Sequence, residues 1–216
     1  QVVGRMNYGG IETFLMSIYK NINRNMVQFD FVYHTNERCL FDDEIIKLGG
    51  RIYHCPQYKG YNVLTYKKWW REFFNAHGHY DIVHGHQRST ATIYLGIAKQ
   101  YKCVTIAHSH ATTSRGNILE KIVKYFMQLQ IRNTADWFMA CSPTAGHWLF
   151  GKKVVNSDHF IWLKNGIDLS KFHYNEKVRT DVRKLLNIED NIVFGHVGSF
   201  TEEKNHSFLI EVFNEV

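Results

Sequence analysis

The 216-residue chain alternates along its length between short apolar segments and amphipathic segments with helical spacing. Short apolar segments are typical of buried strands, and parallel strands need a helical crossover between them. The alternation therefore predicts an α/β fold, a doubly wound parallel sheet with helices on both faces. The predicted strands are residues 1–3, 29–34, 51–55, 81–84, 103–108, 137–141, 160–163 and 192–197, and the predicted helices are residues 10–24, 41–48, 62–77, 89–101, 117–133, 143–150, 177–187 and 205–216.

A domain boundary is predicted in the polar, turn-rich segment 163–177. This segment contains Asn165-Gly166, a strong turn signal, and the strand-like segment 192–197 that follows enters another glycine loop. We expect residues 1–168 to form a Rossmann-like domain and residues 169–216 to be a linker and the truncated start of a second one. The missing initiator Met and the uncapped final helix lead us to expect a fragment of a longer protein.

The charge, the apolar segments and the cysteines of the chain indicate what kind of partner and what cellular location to expect. A formal net charge of +6 favours anionic partners, but the dispersed Lys and Arg residues argue against nucleic acid. No signal peptide and no apolar run of the ~18 residues that cross a bilayer are present, so we expect a cytoplasmic protein. Peripheral contact at the inner face of the membrane stays open. The widely spaced cysteines, which predict reduced thiols, are Cys39, Cys55, Cys103 and Cys141.

Polar residues and glycines follow several of the predicted strands. Ligands of doubly wound sheets gather at the carboxyl ends of strands, near the point where the strand order reverses. The Gly9-Gly10 loop precedes a predicted helix, whose free N–H groups and dipole attract anions. Glu12 lies in the first turn of that helix, where the dipole favours a carboxylate without any functional role. Lys204 follows the loop at Gly198 close to another helix start, as in diphosphate sites.

Two His-x-His pairs, His84/His86 and His108/His110, stand at predicted strand ends. Imidazole is the commonest ligand of transition metals, so a metal site is one interpretation. Hydrogen-bonding structural histidines and substrate-contacting histidines are the other two. Because no acidic ligand is well placed after either pair, we expect no metal.

The segment 64–74, "LTYKKWWREFF", mixes aromatic and basic residues. Its aromatic residues recur at i, i+3, i+4, i+7 and i+8, which predicts the core-facing stripe of a helix. Docking to a membrane or to a lipid acceptor is the alternative interpretation of the same residues.

The motifs together resemble a retaining glycosyltransferase of the two-Rossmann-domain (GT-B) architecture, in family 4, and most of all bacterial members that build capsular or extracellular polysaccharides. The resemblance covers nearly the whole chain and rests on "GRMNYGGIETFL", "YDIVHGHQ", "VTIAHSHAT", "DWFMACSP", "LKNGIDLSKF" and "IVFGHVGSFTEEKNHSFLIEVF". It implies His108 as the catalytic residue facing the sugar donor. It implies contacts with the donor or its phosphates from Gly9, Gly10, Asn165, Gly166, Gly198, Ser199 and Lys204. Candidate acceptor-binding residues are Asn7, Glu12, His84, His86 and His110.

The resemblance further implies hexosyl transfer from a nucleotide-sugar to a saccharide or lipid-linked saccharide acceptor, with retention of configuration and without a metal or other cofactor. An arginine usually follows the glycine at Gly198, and Ser199 stands there instead, which removes one positive charge from the diphosphate site. Since the family's second domain supplies most nucleotide contacts, we expect this piece to be inactive alone. The alternatives are a metal-dependent hydrolase and a non-catalytic sugar- or nucleotide-binding module.

Overall fold

The computed structural model describes residues 1–113 and 118–215, except for the side chains of Leu119, Glu120, Lys121, Lys171 and Glu203. The chain forms two compact units, Gln1–Asp168 and Leu169–Val216. The predicted helices 117–133 and 205–216 each have one terminal residue outside the described residues.

The first unit alternates strands and helices as the sequence predicts. Its strands are β1 (Val2–Val3), β2 (Phe31–Tyr33), β3 (Ile52–His54), β4 (Ile82–Gly85), β5 (Val104–Ser109), β6 (Trp137–Ala140) and β7 (Phe160–Trp162). Its helices are α1 (Gly10–Asn21), α2 (Asp42–Lys47), α3 (Val63–Ala76), α4 (Ala91–Gln100), α5 (Ile118–Leu129), α6 (Ile131–Thr134), α7 (Pro143–Phe150) and α8 (Lys152–Val155). A 3₁₀ turn, Arg88–Thr90, precedes α4.

The seven strands form one parallel sheet in the order β3-β2-β1-β4-β5-β6-β7. The chain adds β2 and β3 on one side of β1, and then adds β4 to β7 on the other side. The strand order therefore reverses between β1 and β4, which is where doubly wound sheets bind ligands. The predicted fold class is confirmed.

The two faces of the sheet support separate apolar cores. Val2 of β1 packs in a cluster with residues of α3, α4, α6 and α7, while Val3 packs in a second cluster with residues of α1 and α2. Successive strand residues point to opposite faces, so even the two-residue strand β1 contributes to both cores. Helices on both faces are what an all-parallel sheet requires.

The aromatic stripe of α3 belongs to the core, as predicted. Tyr66, Trp70, Phe73 and Phe74 are all buried. The Trp70 indole stacks on Tyr94 of α4 with ring centroids 5.3 Å apart. These rings are covered by protein and are not available to a membrane, so core packing is the correct interpretation of segment 64–74.

The second unit contains helices α9 (Glu176–Leu185) and α10 (His206–Asn214), with 3₁₀ turns at Leu169–Lys171 and Glu202–Lys204. The strand predicted at 192–197 is wrong for this structure, because these residues adopt no regular structure. A strand exists only through hydrogen bonds to a neighbouring strand, and the described residues of this unit provide none. The apolar pattern of a segment does not show whether a neighbouring strand is present to pair with it.

The cysteines form no disulfides: Cys39, Cys55 and Cys103 are buried, and Cys141 is partly exposed. Over the described residues, no helix is both long enough and apolar enough to span a bilayer.

Replacing Trp70 by Ala should lower the free energy of unfolding by about 3–5 kcal/mol, because it leaves a cavity among buried aromatic rings. Leu64→Ala, at an exposed position of the same helix, is the matched control and should change it by less than about 0.5 kcal/mol. Urea denaturation measures both values. Equal effects of the two substitutions would show that the aromatic stripe of α3 contributes no core.

Candidate active site

The carboxyl ends of the first four strands surround a cavity of about 630 Å³. Gly4 follows β1, His34 follows β2, and Gln87 follows β4. The cavity therefore lies at the reversal of strand order. Its lining is mostly polar and consists of Gly4, Arg5, His34, Thr35, Asn36, Glu37, Cys55, Gln57, Tyr58, Gln87, Ser89 and Thr90. Amide, hydroxyl, guanidinium and carboxylate groups in a concave site suit a ligand with many hydroxyls.

His34 forms a rigid part of the cavity wall. Its Nδ1 donates to the carbonyl oxygen of Val3 at 2.9 Å, and its Nε2 accepts the hydroxyl proton of Tyr66 at 2.7 Å. Burial lowers the pKa of His34, so the ring stays neutral and keeps this proton arrangement. The wall is thus fixed by bonds between β1, the end of β2 and α3.

The two His-x-His pairs come together as a single cluster, which we call the imidazole cluster (His84, His86, His108 and His110). Strands β4 and β5 are paired in parallel with His84 opposite Ile106, so alternate residues of both strands point to the same face. The His108 and His110 rings stack with centroids 3.9 Å apart, and Phe14 of α1 packs edge-on against both.

Hydrogen bonds connect the two pairs. His84 Nε2 lies 3.2 Å from His108 Nδ1, and His86 Nδ1 lies 2.8 Å from His110 Nε2. The side-chain oxygen of Gln1 accepts from His86 Nε2 at 2.8 Å, so His86 Nδ1 is the acceptor and His110 Nε2 carries a proton. The Nε2 atom of His108 is buried without a hydrogen-bond partner.

The imidazole cluster is uncharged. Burial lowers the pKa of His84 to about 3, of His108 to about 2 and of His110 to about 4. Neighbouring imidazoles lower the pKa of His108 further, because two protonated rings in contact would repel each other. At neutral pH the cluster offers hydrogen-bond donors and acceptors but no positive charge.

His108 itself is only 1 % exposed, whereas His110 at the end of β5 is partly exposed. Of this stacked pair, His110 is the ring with surface that a ligand could contact. The resemblance identified His108 from the sequence position after "VTIA", but it carried no information on which ring α1 covers.

Nitrogen atoms of His84, His86 and His108 all lie within 4.8 Å of one another, close enough to be drawn onto a transition-metal ion by small rotations. No Asp, Glu or Cys joins this group in the part of the chain that the structure describes. Several of the ring nitrogens already bond to each other or to Gln1. These bonds account for the cluster as a hydrogen-bonded assembly.

The start of α1 holds a carboxylate of its own. Glu12 accepts a hydrogen bond from its own backbone N–H, and its carboxylate lies against Gly9, so a Cβ atom at Gly9 would require the Glu12 side chain to shift. Burial raises the pKa of Glu12. Asn7 Oδ1 accepts from the backbone N–H of Leu40 at 2.9 Å, which ties the loop before α1 to the segment before α2. Both residues have structural partners at the positions predicted for ligand contacts.

In the second unit, two of the predicted phosphate-binding residues are neighbours. A Cβ atom at Gly198 would lie 3.5 Å from Cγ of Lys204. The carbonyl oxygen of Ser199 accepts from the backbone N–H of Thr201 at 2.8 Å. In the first unit, Asn165 and Gly166 lie in an exposed loop after β7.

Sequence reasoning missed most of the cavity lining. Arg5, Glu37, Gln57 and Ser89 each follow a different strand by a few residues. Glu37, Gln57 and Ser89 belong to none of the motifs, and Arg5 lies in "GRMNYGGIETFL" but was not predicted to bind a ligand. The rule that ligands gather at carboxyl ends of strands would have found them, had it been applied to every polar residue after β1 to β4.

Comparison with known proteins places these features in a wider group. Residues 8–171 match the family described as Glycosyltransferase Family 4. The chain is 33 % identical over 215 residues to EpsF of Bacillus subtilis (strain 168), whose name assigns it to the glycosyltransferases. That match covers 98 % of this chain and 56 % of EpsF, so the chain spans about half the length of this relative.

Solved structures of two proteins share the fold. HepE of Anabaena in complex with UDP has a TM-score of 0.75 at 14 % identity, over 99 % of this chain and 56 % of HepE. HepE has also been solved with UDP-glucose. A glycosyltransferase of Rickettsia africae has a TM-score of 0.65 at 17 % identity, over 100 % of this chain and 56 % of its own.

The imidazole cluster should make stability fall in acid. Histidines of the unfolded chain titrate near the ordinary side-chain pKa of about 6.5. The folded pKa values are depressed, so below that pH the unfolded state binds more protons. The stability is fully present above about pH 6.5 and decreases as pH falls toward about 4, by at most about 1.4 kcal/mol per pH unit for each histidine.

Urea denaturation midpoints across this window test the effect. His110→Gln should flatten the decline, and His79→Gln, at an exposed position, should leave it unchanged. A His110→Gln variant with the wild-type slope would contradict the assignment of a neutral, partly buried His110.

Proposed function

Because the chain belongs to Glycosyltransferase Family 4, we propose that the whole protein transfers a hexose from a nucleotide-sugar to a saccharide or lipid-linked saccharide acceptor during polysaccharide biosynthesis. The observation that carries this proposal is the polar cavity of about 630 Å³ at the reversal of strand order. The family match favours this function over the metal-dependent hydrolase and over the non-catalytic module.

We assign acceptor binding to this cavity. Its volume lies in the usual range for small-molecule sites, and its wall carries both a rigid neutral imidazole, His34, and adaptable polar side chains such as Gln57. An acceptor hydroxyl needs both donors and acceptors around it, and this lining provides both. Of the residues predicted for the acceptor, His86 directly precedes Gln87 in the wall.

Donor binding is proposed for the glycines and the lysine identified by the resemblance. The complexes of HepE with UDP and UDP-glucose support a nucleotide-sugar as the donor. In the second unit, Lys204 beside Gly198 would neutralise the diphosphate, and Ser199 would contact it there. In the first unit, backbone N–H groups at Gly9, Gly10, Asn165 and Gly166 are proposed to contact the donor, and no metal ion is required. Glu12 would have to leave the start of α1 for a phosphate to approach there.

In the reaction that we propose, the bond between the anomeric carbon and the diphosphate oxygen breaks, and the acceptor oxygen bonds to that carbon from the same face. The acceptor proton passes to the departing diphosphate, so the configuration is retained. Stabilising the diphosphate and the oxocarbenium-like sugar is the main task of the protein, and preorganised N–H groups and Lys204 can perform it.

We retain His108 as a residue required for transfer and assign it a positioning role. It stacks under His110 at 3.9 Å and bonds to His84, which fixes the ring that has exposed surface. His110 is the proposed contact with the transferred hexose.

Gln57→Trp should fill the cavity and raise KM for the acceptor by about tenfold or more, while hydrolysis of the donor in the absence of acceptor continues at the wild-type rate. Gln100→Trp, at an exposed position on α4, is the matched control. Steady-state kinetics of the full-length protein with a panel of nucleotide-sugars separates the two effects. An unchanged acceptor KM would place acceptor binding elsewhere.

His108→Ala should lower kcat by about 10²-fold or more with little change in donor KM, because His110 loses its support and a small misplacement is costly. His108→Asn should restore part of the rate through its amide, and His79→Ala should be silent. Thermal midpoints confirm that each variant folds. Near-normal transfer by a folded His108→Ala protein would remove His108 from the mechanism.

A further inference from the structure

Arg88, in the 3₁₀ turn after β4, is a partly exposed arginine without an acidic partner in the part of the chain that the structure describes. Of the ion pairs in that part, only Lys99–Asp136 involves residues between β4 and β7. Burial lowers the pKa of Arg88. A cation that is partly withdrawn from water normally has an anion beside it, so Arg88 is a candidate binding residue.

The described acidic side chains from residue 81 to β7 lie at the opposite edge of the sheet. Asp81 and Asp136 directly precede β4 and β6, and Asp158 lies shortly before β7. Residues before the strands of a parallel sheet lie at its amino edge, whereas Arg88 follows β4 and lies at its carboxyl edge. These carboxylates are therefore too far away to balance the charge of Arg88.

Two neighbours hold the guanidinium of Arg88 in place. It lies over the Trp148 ring of α7, 4.7 Å from the ring centroid, and its Nη1 donates to the carbonyl oxygen of Thr113 at 3.1 Å. A guanidinium carries more N–H groups than this one hydrogen bond uses. The side chain is thus preorganised to bind an oxyanion through two parallel N–H groups.

Arg88 lies beside both parts of the candidate active site. Its neighbours in the chain, Gln87 and Ser89, line the cavity that we assign to the acceptor. Burial and, to a smaller extent, the positive charge of Arg88 lower the pKa of His110 to about 4, so these two side chains are close together. An anion bound to Arg88 would lie close to the acceptor and to the ring that we propose to contact the hexose.

We propose that Arg88 binds an oxyanion carried by the acceptor, which is either the carboxylate of an acidic sugar or a phosphate. The inference rests on the proposed function and narrows its acceptor to an anionic saccharide. A neutral saccharide would cover Arg88 without supplying a counter-ion. An anionic one forms charge-assisted hydrogen bonds with it, which are roughly twice as strong as neutral ones.

Binding of three sugars to the full-length protein tests the proposal. D-glucose, D-glucuronate and D-glucose 1-phosphate differ in the charged group that the same ring carries, and saturating UDP keeps the donor site occupied. Saturation-transfer NMR titrations give each dissociation constant. The wild type should bind at least one of the two anions about tenfold more tightly than glucose. Preference for glucuronate would indicate an acidic sugar, and preference for glucose 1-phosphate would indicate a phosphate.

Substitutions of Arg88 locate the effect. Arg88→Gln should weaken binding of the preferred anion by about tenfold and leave glucose binding unchanged, because only the charge-assisted pair is lost. Arg88→Lys should restore part of the affinity, since lysine keeps the charge but lacks the planar fork. Arg71→Gln, at an exposed position on α3, is the matched control and should bind like the wild type. Thermal midpoints confirm that each variant folds.

Equal wild-type affinities for the three sugars would overturn the proposal. So would an Arg88→Gln protein that binds the anions as the wild type does, or that loses affinity for all three sugars equally. A tenfold loss of UDP affinity in Arg88→Gln would also overturn it, because Arg88 would then belong to the donor site. Hydrolysis of a nucleotide-sugar needs no acceptor, so this assay of the wild type tests the proposed function separately from Arg88.

Discussion

The parallel pairing of β1 with both β2 and β4 is the constraint on which the rest of the first unit depends. β1 has only two residues, yet it receives hydrogen bonds on both edges and sends one side chain into each core. The chain leaves β1 in one direction to build β2 and β3, and returns past it to build β4 to β7. The loops after β1 and β4 therefore diverge, and the cavity opens between them.

The imidazole cluster shows how a parallel register converts sequence spacing into chemistry. Pairing of β4 with β5 puts four rings on one face, and burial keeps them uncharged. Buried and partly buried polar rings would be costly if unpaired, and hydrogen bonds within the cluster satisfy most of their ring nitrogens. His108 Nε2 is the exception, a buried nitrogen with its hydrogen-bonding capacity unused.

Much of the fold could be predicted from the sequence, and the reasons for the failures are physical. Seven strands and their crossover helices follow from local periodicity, because each buries its own apolar pattern. The segment 192–197 has the same pattern but lacks a paired neighbour, which periodicity cannot reveal. The cavity lining was not predicted from the sequence, because it consists of single residues that follow four different strands. The exposure of apolar residues on α5 was not predicted either. Periodicity identifies the apolar side of a helix but does not show whether that side faces the core or the solvent.

The position of the cavity also has an evolutionary consequence. Its location is set by the direction in which the chain winds, whereas its lining is set by short segments such as 35–37 and 57–58 that form no part of any strand or helix. Substitutions in those segments alter recognition while leaving the ladder of strands intact. Such a scaffold can change the ligand that it accepts without first having to refold.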